Sequence, residues 1–250
     1  MDTFTLQREE IHRGCLILVN QDAPYIPGTT EETMQSVDPD YPAIKLNARA
    51  ALMLLQIFRK IRCQGSIIPV SGYRTMEEQI QIYKDSLSEN GPEFTNQYVA
   101  RPGCSEHQTG LAIDLGEMSE TIDYIRPSFP YTGICQRFRR ESVRYGFIER
   151  YTGDKQPITH ISSEPWHFRY VGYPHSVIMT EQALTLEEYL DYIRDFSYGR
   201  KHLHYRKEGK EIDIAFLPAR QETRLTFPDD AAYQISGNNI DGFIITLWRK

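Results

Sequence analysis

Two segments roughly fifty residues apart, SEHQTGLAIDL (Ser105 to Leu115) and EPWHFRYVG (Glu164 to Gly172), constrain this chain more than any other feature. Each is apolar and aromatic enough to be buried, yet together they carry His107, Asp114, Glu164 and His167. Ionisable groups are rarely buried without a partner or a metal. Two histidines and an aspartate suit one catalytic zinc, which takes three protein ligands from His, Asp or Glu and leaves a fourth position for water. His107, Asp114 and His167 fit the ligand roles. Glu164, three residues before the second histidine, fits a general base.

The spacing agrees with backbone geometry. In LAIDL the apolar Leu111, Ile113 and Leu115 alternate with Ala112 and Asp114, so Asp114 is expected on a strand, facing away from an apolar row. His107 precedes Gly110, which can bend the chain back. EPWHFRYVG also reads as a strand. On a regular strand Glu164 and His167 would face opposite ways, so Pro165 is expected to mark a non-strand entrance that redirects the glutamate. The other histidines, His12, His160, His175, His202 and His204, lack a matched acidic partner and read as ordinary residues; HLH at 202–204 lies in a basic stretch and is expected to be solvated.

SGYRT (Ser71 to Thr75), SEHQTGLAIDL and EPWHFRYVG, in that order, resemble the three signature blocks of zinc D,D-peptidases of the VanY and VanXY type, which belong to a wider group that includes the hedgehog fold. The resemblance covers roughly Asn47 to Tyr192 and takes in YKDSLSENG and TLEEYLDYI. It implies a hydrolase, acting with one zinc per chain, that removes D-alanine from peptides ending in D-Ala-D-Ala, as in glycopeptide-resistant bacteria. It further implies that His107, Asp114 and His167 hold the zinc and that Glu164 is the base. Arg74 resembles the arginine that polarises the scissile carbonyl, a role suited to a permanently charged planar fork. Gln79 and Ser105 match positions that help hold the peptide. Relatives that act on the free dipeptide tend to carry an aspartate where this chain has Ser71. A serine there suits longer peptides with no ammonium near the scissile bond, so carboxypeptidase activity is expected to exceed dipeptidase activity.

With 250 residues, 40% hydrophobic and 25% charged, the chain can bury a sizeable core as one main domain plus a small second one. A net charge of −6 argues against nucleic acid and provides no basic arm for anionic membranes. No apolar run approaches the roughly 20 residues of a membrane span, and the start MDTFTLQREEIHRG has neither the basic opening nor the apolar core of a signal peptide. The expected location is cytoplasmic. Cys15, Cys63, Cys104 and Cys135 are scattered without a CxxC pair, which excludes a zinc ribbon and argues against a disulfide framework. Cys104 reads as a packed small residue, because Arg101 alone could activate it.

The fold class expected is α+β: an antiparallel sheet flanked by helices over 1–196, followed by a small β module over 197–250. CLILVN reads as a short strand, NARAALMLLQIFRKIRC as a core helix with Met53 and Leu54 inside, and IIPVSGYR as a buried strand ending at Arg74. TMEEQIQIYKDSLSENG reads as a helix opened by a Thr75–Glu78 capping box, and Thr185–Glu188 suggests another near TLEEYLDYI. Segment 116–133 is expected to border the cleft and ICQRFRRESVRYG to be a helix. Beyond Phe196, EIDIAFL, RLTF and FIITLW alternate between turn signals at EGK, PDD and SGNN. This module lies outside the resemblance and reads as a packing or dimer-forming extension, with Trp248 buried.

Two other functions fit parts of this pattern. A cell-wall endopeptidase of phage-lysin type would share the zinc blocks and use the β module as an anchor, but the closeness of GCSEHQTGLAID and EPWHFRYVG to the D,D-peptidase pattern disfavours it. A non-enzymatic zinc-stabilised binding module would need neither Glu164 nor Arg74, because a structural zinc has no open position.

Overall fold

The computed structural model describes residues 2–27, 33–207, 209–227 and 231–249. In chain order the elements are β1 (Asp2–Gln7), β2 (Met34–Ser36), β3 (Lys45–Asn47), α1 (Ala48–Ile61), β4 (Ile67–Ser71), α2 (Met76–Tyr98), β5 (Ala112–Glu117), α3 (Gly133–Ser142) and β6 (Phe147–Tyr151). Then follow α4 (Gln156–Thr159), β7 (Glu164–Tyr170), α5 (His175–Glu181), α6 (Leu186–Arg194), β8 (Leu203–Lys207), β9 (Lys210–Pro218), β10 (Glu222–Phe227), β11 (Ala232–Gly237) and β12 (Gly242–Arg249). The architecture is α+β with antiparallel sheets. It divides into two compact units, one of Val19–Tyr25 with Thr30–Thr185, the other of Met1–Leu18, Ile26–Thr29 and Leu186–Lys250.

The first unit is built on a four-stranded sheet of order β4-β5-β7-β6. Asp114 pairs with His167 and Ile113 with Phe168, so alternation sends the two polar residues to one face and the two apolar ones to the other. The apolar face carries the core. Phe168 packs edge-on against Phe138 of α3, and Phe138 in turn meets Phe58 of α1. Helix α1 buries Ala50, Ala51, Leu54, Ile57, Phe58 and Ile61 at spacings of three and four, with Asn47 capping its start. Burying each large side chain of this stripe contributes about 1.5–3 kcal/mol. Met53 lies at the edge of the stripe and is only half-buried.

Helix α2 starts on the expected capping box, with Thr75 accepting from the Glu78 backbone and Glu78 reaching back to the Thr75 N–H. It continues past the expected end, across a break at Gly91 and Pro92, to Tyr98. CLILVN is not a strand. Its Leu16 and Leu18 N–H groups are taken by the Ser236 hydroxyl and the Asn238 carbonyl, so the apolar run is buried without joining a ladder.

In the second unit, sheet β11-β12-β9-β8 is joined by the two-stranded ribbon β1-β10. Leu6, Leu225, Phe227, Phe243 and Ile245 form its core, with α6 burying Leu186, Tyr189, Leu190 and Ile193. The expected boundary after Phe196 differs from this division. The polar N-terminus supplies β1, paired along its length with β10, and α6 belongs with the β-rich unit. Of the expected turns, SGNN is present: Asn238 Oδ1 accepts from the N–H groups of Ile240, Asp241 and Gly242. PDD at 228–230, and Glu208 of EGK, lie outside the described residues. Trp248 is half-buried, not buried.

Candidate metal and active site

Three neighbouring strands present one row of polar side chains: Ser71 on β4 pairs with Asp114 on β5, which pairs with His167 on β7. His107 reaches this row from a tight 3-10 turn, Glu106–Thr109, that ends at Gly110. Gly110 has φ +69°, and a Cβ there would sit 2.6 Å from Met34 Sδ. Only glycine meets both conditions. His107 Nδ1 lies 2.7 Å from the Gly72 carbonyl, which can only accept, so Nδ1 carries the proton. Its Nε2 is left facing Asp114 Oδ2 at 3.1 Å, while His167 Nδ1 faces Asp114 Oδ1 at 2.9 Å. Donor atoms of His107, Asp114 and His167 all lie within 4.8 Å of one another. Two imidazole nitrogens and a carboxylate so arranged fit a zinc or similar borderline cation.

Glu164 joins this site by a different route from the one expected. It opens β7 itself, and the redirection comes from a slip in the ladder: Glu149 pairs with Phe168 and Tyr151 with Glu164, so two steps on β6 match four on β7. This bulge brings Glu164 Oε2 to 3.7 Å from His167 Nδ1. Arg74, at the turn between β4 and α2, donates from Nε to Ser71 Oγ and from Nη1 to Gln79 Oε1, and its Nη2 lies 3.4 Å from Asp114 Oδ2. Gln79 is fully buried and does not line the cavity; its Nε2 donates to the Ala100 carbonyl. It therefore reaches the site through Arg74.

Ser71, Arg74, His107, Asp114, Glu164 and His167 all line one cavity of about 320 Å³. Ser105 is on its wall, as are Ile82, Asp85 and Glu89 of α2 and Tyr124 and Ile125. Segment 116–133 does border the cleft. The lining also includes buried residues not singled out from sequence: Glu106, Tyr151 and Trp166. The Tyr151 ring lies 4.8 Å from that of His167. Glu106 pairs with Arg150 and Arg169, all three almost without solvent exposure. Two signals pointed there: Glu106 is a charge inside SEHQTG, and Arg169 is two positions beyond His167, hence on the same face.

Burial and charge split the acids. Burial favours the neutral form of Asp114, but His107 and His167 outweigh it and hold its pKa well below the usual range. Burial also dominates at Glu164, where the charges of Asp114 and Glu106 add to it and the pKa is pushed up to about 8. The His107 pKa falls to about 4, by burial and then Arg74. At His167, hydrogen bonds to Asp114 and Glu106 overcome burial and raise it to about 9. Perturbed carboxyl and imidazole groups gathered around residues that could hold a metal ion are a pattern common at functional sites.

The remaining candidates are ordinary. The four cysteines are free thiols, and burial raises the pKa values of Cys63, Cys104 and Cys135 away from thiolate chemistry. His175 is fully buried, and His12 bonds to Asn239 Oδ1. His204 is exposed but pairs with Asp213, and His202 also approaches that carboxylate, so HLH is not simply solvated. No described helix is long and apolar enough to cross a membrane.

Residues 43–173 match the family described as VanY: D-alanyl-D-alanine carboxypeptidase. The chain is 48% identical, over 151 residues covering 60% of it and 80% of the relative, to the bifunctional D-Ala-D-Ala dipeptidase and D-Ala-D-Ala carboxypeptidase VanXYC of Enterococcus gallinarum. Among solved structures, the vancomycin resistance D,D-dipeptidase VanXYg in complex with a D-Ala-D-Ala phosphinate analogue superposes with a TM-score of 0.96 at 49% identity, covering 99% of both chains. A mutant of the D,D-pentapeptidase VanY from the VanB-type resistance cassette, in complex with Zn(II), matches 70% of this chain and 98% of its own at 34% identity and a TM-score of 0.59. The VanXYg match extends through the β-rich second unit, which the three motif blocks do not reach; that unit is thus part of the likeness, contrary to the expectation from sequence. The chain belongs to the VanY family of D-alanyl-D-alanine peptidases.

Proposed function

We propose that this protein binds one zinc ion per chain through His107, Asp114 and His167 and hydrolyses the terminal D-Ala from peptides ending in D-Ala-D-Ala, as a glycopeptide-resistance enzyme. The observation that carries this reading is the convergence of that triad with Glu164 and Arg74 on the wall of one cavity. Bound zinc supplies Lewis-acid polarisation and an acidified water. Glu164, with Oε2 3.7 Å from His167 Nδ1 on the cavity wall, is the group placed to take the proton from water and deliver it to the leaving amine. Arg74, held in a fixed pose by Ser71 and Gln79, donates to the oxygen that gains charge. Ser71 and Ser105 offer neutral hydrogen bonds to the peptide from the cavity wall.

A relative named as bifunctional supports action on both the free dipeptide and longer peptides. Ser71 brings no charge to meet a dipeptide's ammonium, so the pentapeptide is the better substrate in this reading. Free thiols suit a reducing cytoplasm, and the β-rich unit serves as a packing or dimer-forming extension. The test is release of D-alanine by pure protein from D-Ala-D-Ala and from a pentapeptide ending in D-Ala-D-Ala. Both should be cleaved, the pentapeptide with the higher kcat/KM. No release from either would overturn the reading, and cleavage inside the peptide would favour an endopeptidase.

A further inference from the structure

Behind His167 lies a buried ion cluster to which the proposed reaction gives no part. Glu106 is 1% exposed. Arg150 Nε and Arg169 Nη1 both approach its Oε1, each at 2.9 Å. The other carboxylate oxygen, Oε2, is turned toward His167 Nε2 at 3.5 Å. Three buried charges are costly to assemble, and a packed apolar trio is often as stable, so their presence asks for a reason beyond stability.

The reason lies in which nitrogen each histidine offers. His107 presents Nε2 because its Nδ1–H is taken by the Gly72 carbonyl. His167 presents the opposite nitrogen, Nδ1, to Asp114. It can do so as a neutral ligand only if its proton sits on Nε2, and that proton needs an acceptor. Metal-bound histidines are commonly held in this way by a carboxylate.

We propose that Glu106 is a positioning residue that fixes His167 as an Nδ1 ligand, accepting its Nε2–H through Oε2 while Arg150 and Arg169 lock Oε1. This rests on the metal-site reading above. The two guanidinium groups make the arrangement one-directional: both need an acceptor, so in Glu106→Gln the amide oxygen goes to the arginines and the NH2 group turns to His167. A donor there favours the tautomer whose Nδ1 carries the proton and cannot ligate.

The test uses the full chain. Zinc affinity by chelator competition should fall about 10- to 100-fold in Glu106→Gln, the range for lost outer partners of metal ligands, while the melting point of the zinc-free variant shows that it folds. In zinc-loaded wild-type protein, long-range proton–nitrogen NMR should show His167 with a protonated Nε2 and metal on Nδ1; this decides the matter even if the variant fails to fold. Unchanged zinc affinity in folded Glu106→Gln, or ligation through His167 Nε2, would overturn the inference. The failure of the metal site itself is distinguishable: wild-type protein would bind no zinc, or His107→Ala would bind it as well as wild type.

Discussion

The molecule contains two four-stranded antiparallel sheets that treat buried charge in opposite ways. In β4-β5-β7-β6 the inward polar face gathers Asp114, His167 and Arg169, with Glu164 added by the bulge. In β11-β12-β9-β8 the strands bury Ile212, Ile214, Phe243, Ile244 and Ile245, and Asp213 is the acid of β9 that goes under. Asp213 is closed off by Arg249 and His204, whose favourable charges and hydrogen bonds outweigh burial and lower its pKa. At Glu164, on the cavity wall, burial outweighs the charges of His167 and Arg74, and the carboxylates of Asp114 and Glu106 add to it, so its pKa goes up. An acid held against its own ionisation on a cavity wall points to function, whereas Asp213, matched by cations and absent from that wall, points to stability.

The comparison is broken most directly at Glu164. Glu164→Ala should lower kcat by about 10² to 10⁴ while retaining zinc; near-normal turnover would place the base elsewhere. The same substitution should stabilise the zinc-free protein above mildly acid pH. The folded pKa of Glu164, about 8, lies above the ordinary 4.5, so its contribution is complete below the latter and is lost as pH rises through the former. Denaturant unfolding of zinc-free wild type and variant from pH 5 to 8 should therefore show curves that diverge as pH rises.

In the other sheet the effect should fall on stability. Phe243→Ala removes a ring from the shared core of β12, β10 and β1 and should cost about 3–5 kcal/mol in denaturant unfolding. A loss below 1 kcal/mol would mean that this core is not a cooperative one.

His175 sharpens the contrast from the acid side, since burial alone lowers its pKa to about 3 from 6.5. Here the folded value is the lower one, so the stability contributed is present above pH 6.5 and lost as pH falls toward 3. His175→Gln should flatten the decline of the melting point between pH 6.5 and 4, even if it lowers the whole curve; an unaltered slope would show that another group titrates there. The smallest expected change is at Ser71. Ser71→Asp should raise kcat/KM for free D-Ala-D-Ala relative to the pentapeptide, by supplying a partner for the dipeptide's ammonium. An unchanged ratio would shift attention to segment 116–133, whose Tyr124 and Ile125 also line the cavity.

Much of the site was legible because its elements are local. The capping box at Thr75, the alternation of LAIDL and the stripe of α1 depend on neighbours a few residues away, and each formed as read. The misreadings fall where a long-range partner decided the outcome. CLILVN has the composition of a strand, yet its N–H groups are taken by Ser236 and Asn238. The polar start of the chain became β1 because β10 offered a free edge with matching register. The supporting contacts of Gln79 and Glu106 were not read from sequence, since each is anchored by residues distant along the chain: Gln79 by the Ala100 carbonyl, Glu106 by Arg150 and Arg169.

By itself, the amino-acid sequence determined which chemistry the chain can carry: two histidines, an aspartate and a glutamate in apolar segments admit few roles, because buried ionisable groups need compensation. What only the tertiary structure decided is which atoms face which. A two-residue slip between β6 and β7 turns Glu164 toward His167, and the Gly72 carbonyl and Glu106 carboxylate set opposite nitrogens of the two histidines toward Asp114. Side-chain direction depends on register and on hydrogen bonds across tens of residues, and neither is written in the spacing of residues along the chain.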